Sequence, residues 1–283
     1  MLRPLAVFLS LGLAAPVLAL SGEPPANTPP PAAKPTEPAM PTTLPALPNW
    51  PDKALSTTTT PTGVVIEEYK LGEGNELRAG SALVAHYRGT LKANGQQFDS
   101  SYDRKQPLPA PLYGLIKGWQ EGLVGMKAGG MRKVTIPSAL AYGENGRPKI
   151  PPNSDLVFEV ELVDAMLMED LVVGTGEEVK PGATVTCHYL GTFKADGKKF
   201  DSSYDKNEPA TFGLSDVIQG WKFGVPFMKV GGKRKLTIPW QLAYGERGAP
   251  GAIPPKADLV FEIEVLSVKN PPAPPPPAAP ATK

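Results

Sequence analysis

The sequence predicts an α+β chain of two tandem domains, each an antiparallel sheet with one short apolar helix packed on its concave face. Three observations predict it: a long internal repeat, strand-like alternation inside each copy, and one helical triplet per copy. The repeat has a constant offset of 102 residues and carries His86-Tyr87-Arg88-Gly89-Thr90 onto His188-Tyr189-Leu190-Gly191-Thr192. Phe98-Asp99-Ser100-Ser101-Tyr102-Asp103 returns as Phe200-Asp201-Ser202-Ser203-Tyr204-Asp205, Gly118-Trp119 as Gly220-Trp221, and Ala141-Tyr142-Gly143 as Ala243-Tyr244-Gly245. A period this long, present twice, describes two whole domains rather than a solenoid. The register slips by one residue only before Pro151-Pro152 and Pro254-Pro255.

In chain order, residues 1–19 carry Arg3, an apolar run from Leu5 to Leu13 and the ending Val17-Leu18-Ala19, the layout of a secretory signal peptide cleaved after Ala19. The run is too short, and too interrupted by Pro4, Gly12 and Pro16, for a stable membrane span. Export to the periplasm or the extracellular space is therefore expected. Residues 20–62 are dominated by Pro, Ala and Thr without periodicity and read as an extended linker, and residues 270–283 read as a tail of the same kind. Domain 1 is expected over 63–166 and domain 2 over 167–269. Within them Leu156, Phe158, Val160 and Leu162 alternate with charged residues, as do Leu259, Phe261, Ile263 and Val265, the pattern of half-buried strands. Val134 and Ile136 alternate up to Pro137, which cannot continue a central strand. Asn94-Gly95 and Asp196-Gly197 mark tight turns. Ile116, Trp119 and Leu123, like Ile218, Trp221 and Val225, share one helical face, and Gly129-Gly130 and Gly231-Gly232 limit each helix to two or three turns.

Charge excludes one class of partner. The chain has 29 Lys plus Arg against 28 Asp plus Glu, with no basic patch of the kind nucleic acid requires. Lys233-Arg234-Lys235 beside Leu236 and Ile238 reads as the solvated end of a strand. The single cysteine, Cys187, rules out an intrachain disulfide and reads as a small buried residue on the same strand face as Tyr189. His86 and His188 neighbour the tyrosines in a strand and so face the opposite way, with no ligand-spaced partner for a metal.

The ordered fragments His-Tyr-x-Gly, Phe-Asp-Ser-Ser, Ile-x-Gly-Trp, Ala-Tyr-Gly, Ile-Pro-Pro and Leu-Val-Phe-Glu-Val resemble those of FKBP-type prolyl isomerases, which bind macrolides such as tacrolimus; the resemblance spans residues 63–269 in two copies. It implies a twisted antiparallel sheet wrapped around one short helix. It also implies a first pocket of Tyr87, Phe98, Asp99, Leu115, Ile116, Trp119, Tyr142, Ile150 and Phe158. The matching second set is Tyr189, Phe200, Asp201, Val217, Ile218, Trp221, Tyr244, Ile253 and Phe261, joined by Phe212 where the first copy has Ala110. Arg104 stands where the family often has an arginine near the aspartate, and Lys206 replaces it in the second copy, losing planar donor geometry. Asp99 and Asp201 each follow a Phe inside an otherwise apolar set, and a carboxylate is rarely buried without partners.

The implied activity is peptidyl-prolyl cis/trans isomerisation during folding of exported proteins. Its partners would be unfolded or partly folded proteins with X-Pro bonds, and macrolides would inhibit it. Rotation about an amide makes and breaks no bond, so no cofactor or metal is required. The alternative is a binding module or chaperone that holds Pro-containing segments with incidental turnover. In the isomerase reading Trp119 and Trp221 form pocket floors, Ile116 and Ile218 offer backbone N–H groups, and Tyr142 and Tyr244 donate from their hydroxyls.

Overall fold

The computed structural model describes residues 47 and 49–272. The expected signal peptide, most of the Pro-rich linker and residues 273–283 of the tail lie outside the described residues. The first half contains β1 (Ser56–Thr59), β2 (Val65–Lys70), β3 (Ala82–Leu91), β4 (Gln97–Ser100), β5 (Leu108–Pro111), α1 (Lys117–Gly122), β6 (Met131–Ile136) and β7 (Leu156–Ala165). The second contains β8 (Leu167–Val172), β9 (Thr184–Phe193), β10 (Lys199–Ser202), β11 (Ala210–Gly213), α2 (Gln219–Gly224), β12 (Lys233–Ile238) and β13 (Leu259–Lys269). The first sheet runs β1-β2-β6-β7-β3-β4 with β5 also on β3, and the second runs β8-β12-β13-β9-β10 with β11 on β9. Every pairing is antiparallel. This is the expected α+β architecture, twice.

The expected linker is corrected at its end. Ser56–Thr59, inside residues 20–62, is strand β1, paired to β2 from Ser56 opposite Glu68 to Thr59 opposite Val65. All four residues are exposed, so a strand held by backbone bonds at a sheet edge leaves no apolar alternation to read. Trp50, also in that stretch, rests its ring 5.4 Å from that of Tyr69.

Each helix is six residues long, under two turns, and lies close to its sheet. A Cβ on Gly118 would stand 2.2 Å from the Ile136 side chain, and one on Gly220 2.4 Å from Ile238, so only glycine lets Trp119 and Trp221 approach this closely. The Lys233-Arg234-Lys235 reading is corrected at its centre. Arg234 is buried, bonds Asp170 at 2.5 Å and donates to the Gly224 and Pro226 carbonyls, tying α2 and the loop after it to the edge strand. Arg132 does the same in the first half with Glu68, Gly122 and Val124.

The halves share packing. On β3, Leu83, Ala85 and Tyr87 face their own core, whereas Ala82 and Val84 face the core cluster of the second half. Met166, which joins β7 to β8, is fully buried in that second cluster, and the Ser81 hydroxyl donates to its carbonyl. Tyr113 meets Phe227 edge-on at 4.9 Å across the same joint.

Candidate active site

The second-half pocket is built upward from Trp221. Its indole is 4% exposed, and the rings of Tyr189, Phe212 and Phe261 stand edge-on to it at 5.6, 5.4 and 5.3 Å. Edge-to-face contacts match the positive rim of one ring to the negative face of the next, and they leave a hollow where stacked rings would fill it. Val217 and Ile218 complete the apolar lining of that hollow. Phe200 stands edge-on to Phe261 at 5.5 Å, and Ile253 is buried at the end of the following loop.

The first half repeats the arrangement. Tyr87 and Phe158 stand edge-on to Trp119 at 5.4 and 5.2 Å, and Phe98 meets Phe158 edge-on at 5.6 Å. Leu115, Ile116 and Tyr142 pack half-buried against this cluster, with Ile150 buried in it. Ala110 on β5 leaves out the ring that Phe212 supplies on β11. All the residues expected around each pocket come together.

Two glycines explain why the aromatic rings can close. A Cβ on Gly89 would lie 2.6 Å from Phe98 and 2.9 Å from Phe158, and one on Gly191 2.6 Å from Phe200 and 3.0 Å from Phe261. The glycine of His-Tyr-x-Gly thus clears the strand surface on which both wall rings sit. Serine was the other residue not singled out by sequence. Ser101 Oγ accepts from the Tyr87 N–H at 2.7 Å and Ser203 Oγ from the Tyr189 N–H at 2.8 Å, fixing each tyrosine strand against the Phe-Asp-Ser-Ser loop. Each same serine also bonds its histidine Nδ1, and the histidine ring stacks on Tyr102 or Tyr204, away from the pocket. Cys187 is buried beside Tyr189, and burial pushes its thiol up to about 12, away from reactivity.

The polar rims differ. In the first half the Tyr87 hydroxyl donates to Asp99, while Arg104 bonds Asp99 through one nitrogen and the Tyr87 oxygen through the other at 2.8 Å. Burial works against ionisation of Asp99, but the hydrogen bonds from Tyr87 and Arg104 and the arginine charge outweigh it and hold the carboxyl below its ordinary range. Burial and the bond to Asp99 push Tyr87 up to about 12. In the second half the Tyr189 hydroxyl donates to Asp201 at 2.7 Å, and no hydrogen bond or ion pair joins Lys206 to either group.

Several donors of these residues have no hydrogen-bond partner among the described residues. Neither the Ile116 nor the Ile218 N–H donates to a backbone oxygen among the described residues. The Trp119 and Trp221 indole nitrogens are buried without a hydrogen bond. Burial, then the Asp201 charge, pushes the Tyr244 hydroxyl up to about 12, so it stays protonated at neutral pH. Tyr142 differs in carrying the Arg147 guanidinium over its ring at 5.2 Å. The first loop before the paired prolines closes with Lys149 at φ 68°, whereas the longer second loop places Gly251 at φ 81°.

Comparison with known proteins identifies the family. Residues 74–163 and 175–266 each match the family described as FKBP-type peptidyl-prolyl cis-trans isomerase. The chain is 39% identical over 224 residues to human peptidyl-prolyl cis-trans isomerase FKBP10, covering 74% of this chain and 38% of that one. It is 50% identical over 106 residues to an FK506-binding protein of Neisseria meningitidis, covering 37% of this chain and 96% of the other. Among solved structures, FkpA from Escherichia coli is 46% identical with a TM-score of 0.38, over 40% of this chain and 53% of that one. The chain spans little more than a third of the length of curated relatives such as human FKBP10.

Proposed function

Because this chain belongs to the FKBP-type peptidyl-prolyl cis-trans isomerase family, we propose that each half accelerates rotation about X-Pro peptide bonds. The observation that carries this reading is the aromatic hollow floored by Trp221, matched by a like cluster of rings about Trp119, with an isoleucine N–H in each half that donates to no backbone oxygen among the described residues. The uncatalysed barrier is about 18–20 kcal/mol, because rotation breaks amide resonance. The twisted amide has less charge separation than the planar one, so a dry apolar wall favours it over the ground state. The proline ring would lie over the indole, between Phe98 and Phe158 or between Phe200 and Phe261. The Ile116 or Ile218 N–H would bond a substrate carbonyl and hold the chain as the amide turns. Tyr142 and Tyr244 would donate a second bond, and Asp99 and Asp201 would order the polar edge.

The apolar run and Val17-Leu18-Ala19 ending support an exported protein whose substrates are exported chains with slow prolyl steps. Among the described residues no helix is long and apolar enough to cross a membrane. Macrolides such as tacrolimus would compete for the same hollows.

The test is exchange NMR on a short X-Pro peptide with the full chain. The expected result is saturable acceleration abolished by tacrolimus; an unaltered exchange rate would overturn the proposal. N-terminal sequencing of the secreted protein checks export, with a new terminus at Leu20 expected.

A further inference from the structure

The wall of the first site is reached from the second half. Leu112–Gly114 forms a single tight helical turn leading into Leu115 and Ile116, and the Leu115 N–H closes that turn on the Leu112 carbonyl at 3.1 Å. Leu112 is buried in the first core, and its N–H donates to the Ser81 carbonyl at 2.8 Å. The Gln120 side chain, on α1, donates to the Leu115 carbonyl at 2.7 Å. A further hold crosses the joint between the halves, where the Tyr113 ring stands edge-on to Phe227 at 4.9 Å. The second half lacks these side chains at its own turn. Tyr113 corresponds there to Ser215 and Gln120 to Lys222, both exposed.

Phe227 is out of place on backbone grounds. It follows α2 at φ 68° and its N–H donates to the Val179 carbonyl, just as Gly125, at φ 83°, follows α1 and donates to that of Leu77. The loop after each helix thus asks for glycine, and a bulky residue at positive φ is an outlier that persists where its surroundings hold it. What Phe227 supplies over glycine is the ring laid against Tyr113. A second route joins the same elements. Ser81, which accepts from Leu112, donates from its hydroxyl to the Met166 carbonyl, and a Cβ on Gly224 at the end of α2 would stand 3.1 Å from the Met166 side chain. We propose that Phe227, a residue of the second half, is a positioning residue for the first site: its ring braces Tyr113, so that the turn presents Leu115 and the Ile116 N–H to substrate. The substrate role of that N–H rests on the isomerase reading. Ser215 has no ring to offer at the second site, so the dependence runs one way, with the first site relying on the second half.

The test uses the full chain with its second site disabled by Phe200→Ala and Asp201→Ala. Phe227→Gly installs the first-half residue at a φ that glycine accepts, so the chain should stay folded. First-site kcat/KM on a tetrapeptide should fall about threefold or more, with the loss in KM. Phe227→Tyr, which keeps the ring, should restore it. Tyr113→Ser should lower it to the same extent, and the two substitutions together no further, because they remove one contact. Amide exchange at Leu115 in the free protein should quicken about threefold or more in Phe227→Gly and return in Phe227→Tyr. The second site, read with Phe98→Ala and Asp99→Ala in place, should be unchanged. Unaltered exchange at Leu115, or unaltered first-site kcat/KM, would overturn the proposal. Equal losses at both sites would assign Phe227 to the fold of α2 and overturn it too. A parent chain without turnover would sink the isomerase reading, while exchange at Leu115 would still decide whether Phe227 holds the turn.

Discussion

Tyr244→Phe isolates one proposed substrate contact with little structural disturbance. The substitution removes a single hydroxyl and keeps the ring in the cluster around Trp221. That hydroxyl makes no hydrogen bond to another described residue, so its loss breaks no fold contact. The folded protein should therefore keep its stability within about 0.5 kcal/mol, the usual range for changes away from structural features. If the hydroxyl donates to substrate, the lost bond should cost about 0.5–1.5 kcal/mol, a fall in kcat/KM of about 2- to 12-fold. Because burial holds the hydroxyl near 12, the loss should be the same from pH 6 to 9. The assay is peptide isomerisation by the full chain with its first site disabled by Phe98→Ala and Asp99→Ala, since the halves share a core and are not assumed to fold apart. Unchanged kcat/KM with full stability would refute the donor role, and a large drop in Tm would refute the claim that this group is structurally free.

The first pocket should respond to acid through Asp99. Its carboxyl is held below the ordinary range, so its stabilising contribution is complete above about pH 4 and is lost as pH falls through the lowered value; carboxyl carbon shifts should show a higher midpoint in Arg104→Lys. Phe212→Ala should destabilise the second half by about 3 kcal/mol, the lower end for buried Phe because one side of the ring borders the hollow, and should raise KM at that site alone, read by urea unfolding and by kinetics with the first site disabled. Glu68→Ala should cost about 3 kcal/mol in urea unfolding, because it strips the carboxylate from Arg132 in a pair whose side chains are 10 and 12% exposed.

Legibility in the sequence followed the physical origin of each feature. β7 and β13 were plain because one face is core and the other solvent, so Leu156, Phe158, Val160 and Leu162 alternate with exposed or half-buried neighbours. The start of β3 reads instead as the unbroken run Ala82-Leu83-Val84-Ala85, since one face packs its own core and the other the second half. Its length alone does not disclose what lies on the far side. β1 was invisible because it is exposed throughout and its stability comes from main-chain bonds that any Ser or Thr can make. Pocket residues were recoverable as a set through the repeat, yet Gly89 and Gly191 act by what they lack, and absence of a side chain carries no periodic signal. Arg234 looked solvated because its partner Asp170 lies 64 residues away in sequence, on the neighbouring strand.

The repeat turns the chain into its own comparison. The halves agree at the indole floors, the wall phenylalanines, the tyrosine–aspartate bond and the bare glycines, which together fix one arrangement of rings. Where they differ, the changes gather in two places. One is the rim, through Arg104 and Lys206 and through Ala110 and Phe212. The other is the edge, through Gly125 and Phe227 and through the missing cover strand. On the proposed isomerase reading, a rim change would alter which substrate the hollow prefers without altering how an amide is twisted inside it. The two halves thus carry one ring arrangement with different rims, the first with a clamped carboxylate and the second with an added aromatic wall, while β1 covers a sheet edge in the first half only among the described residues.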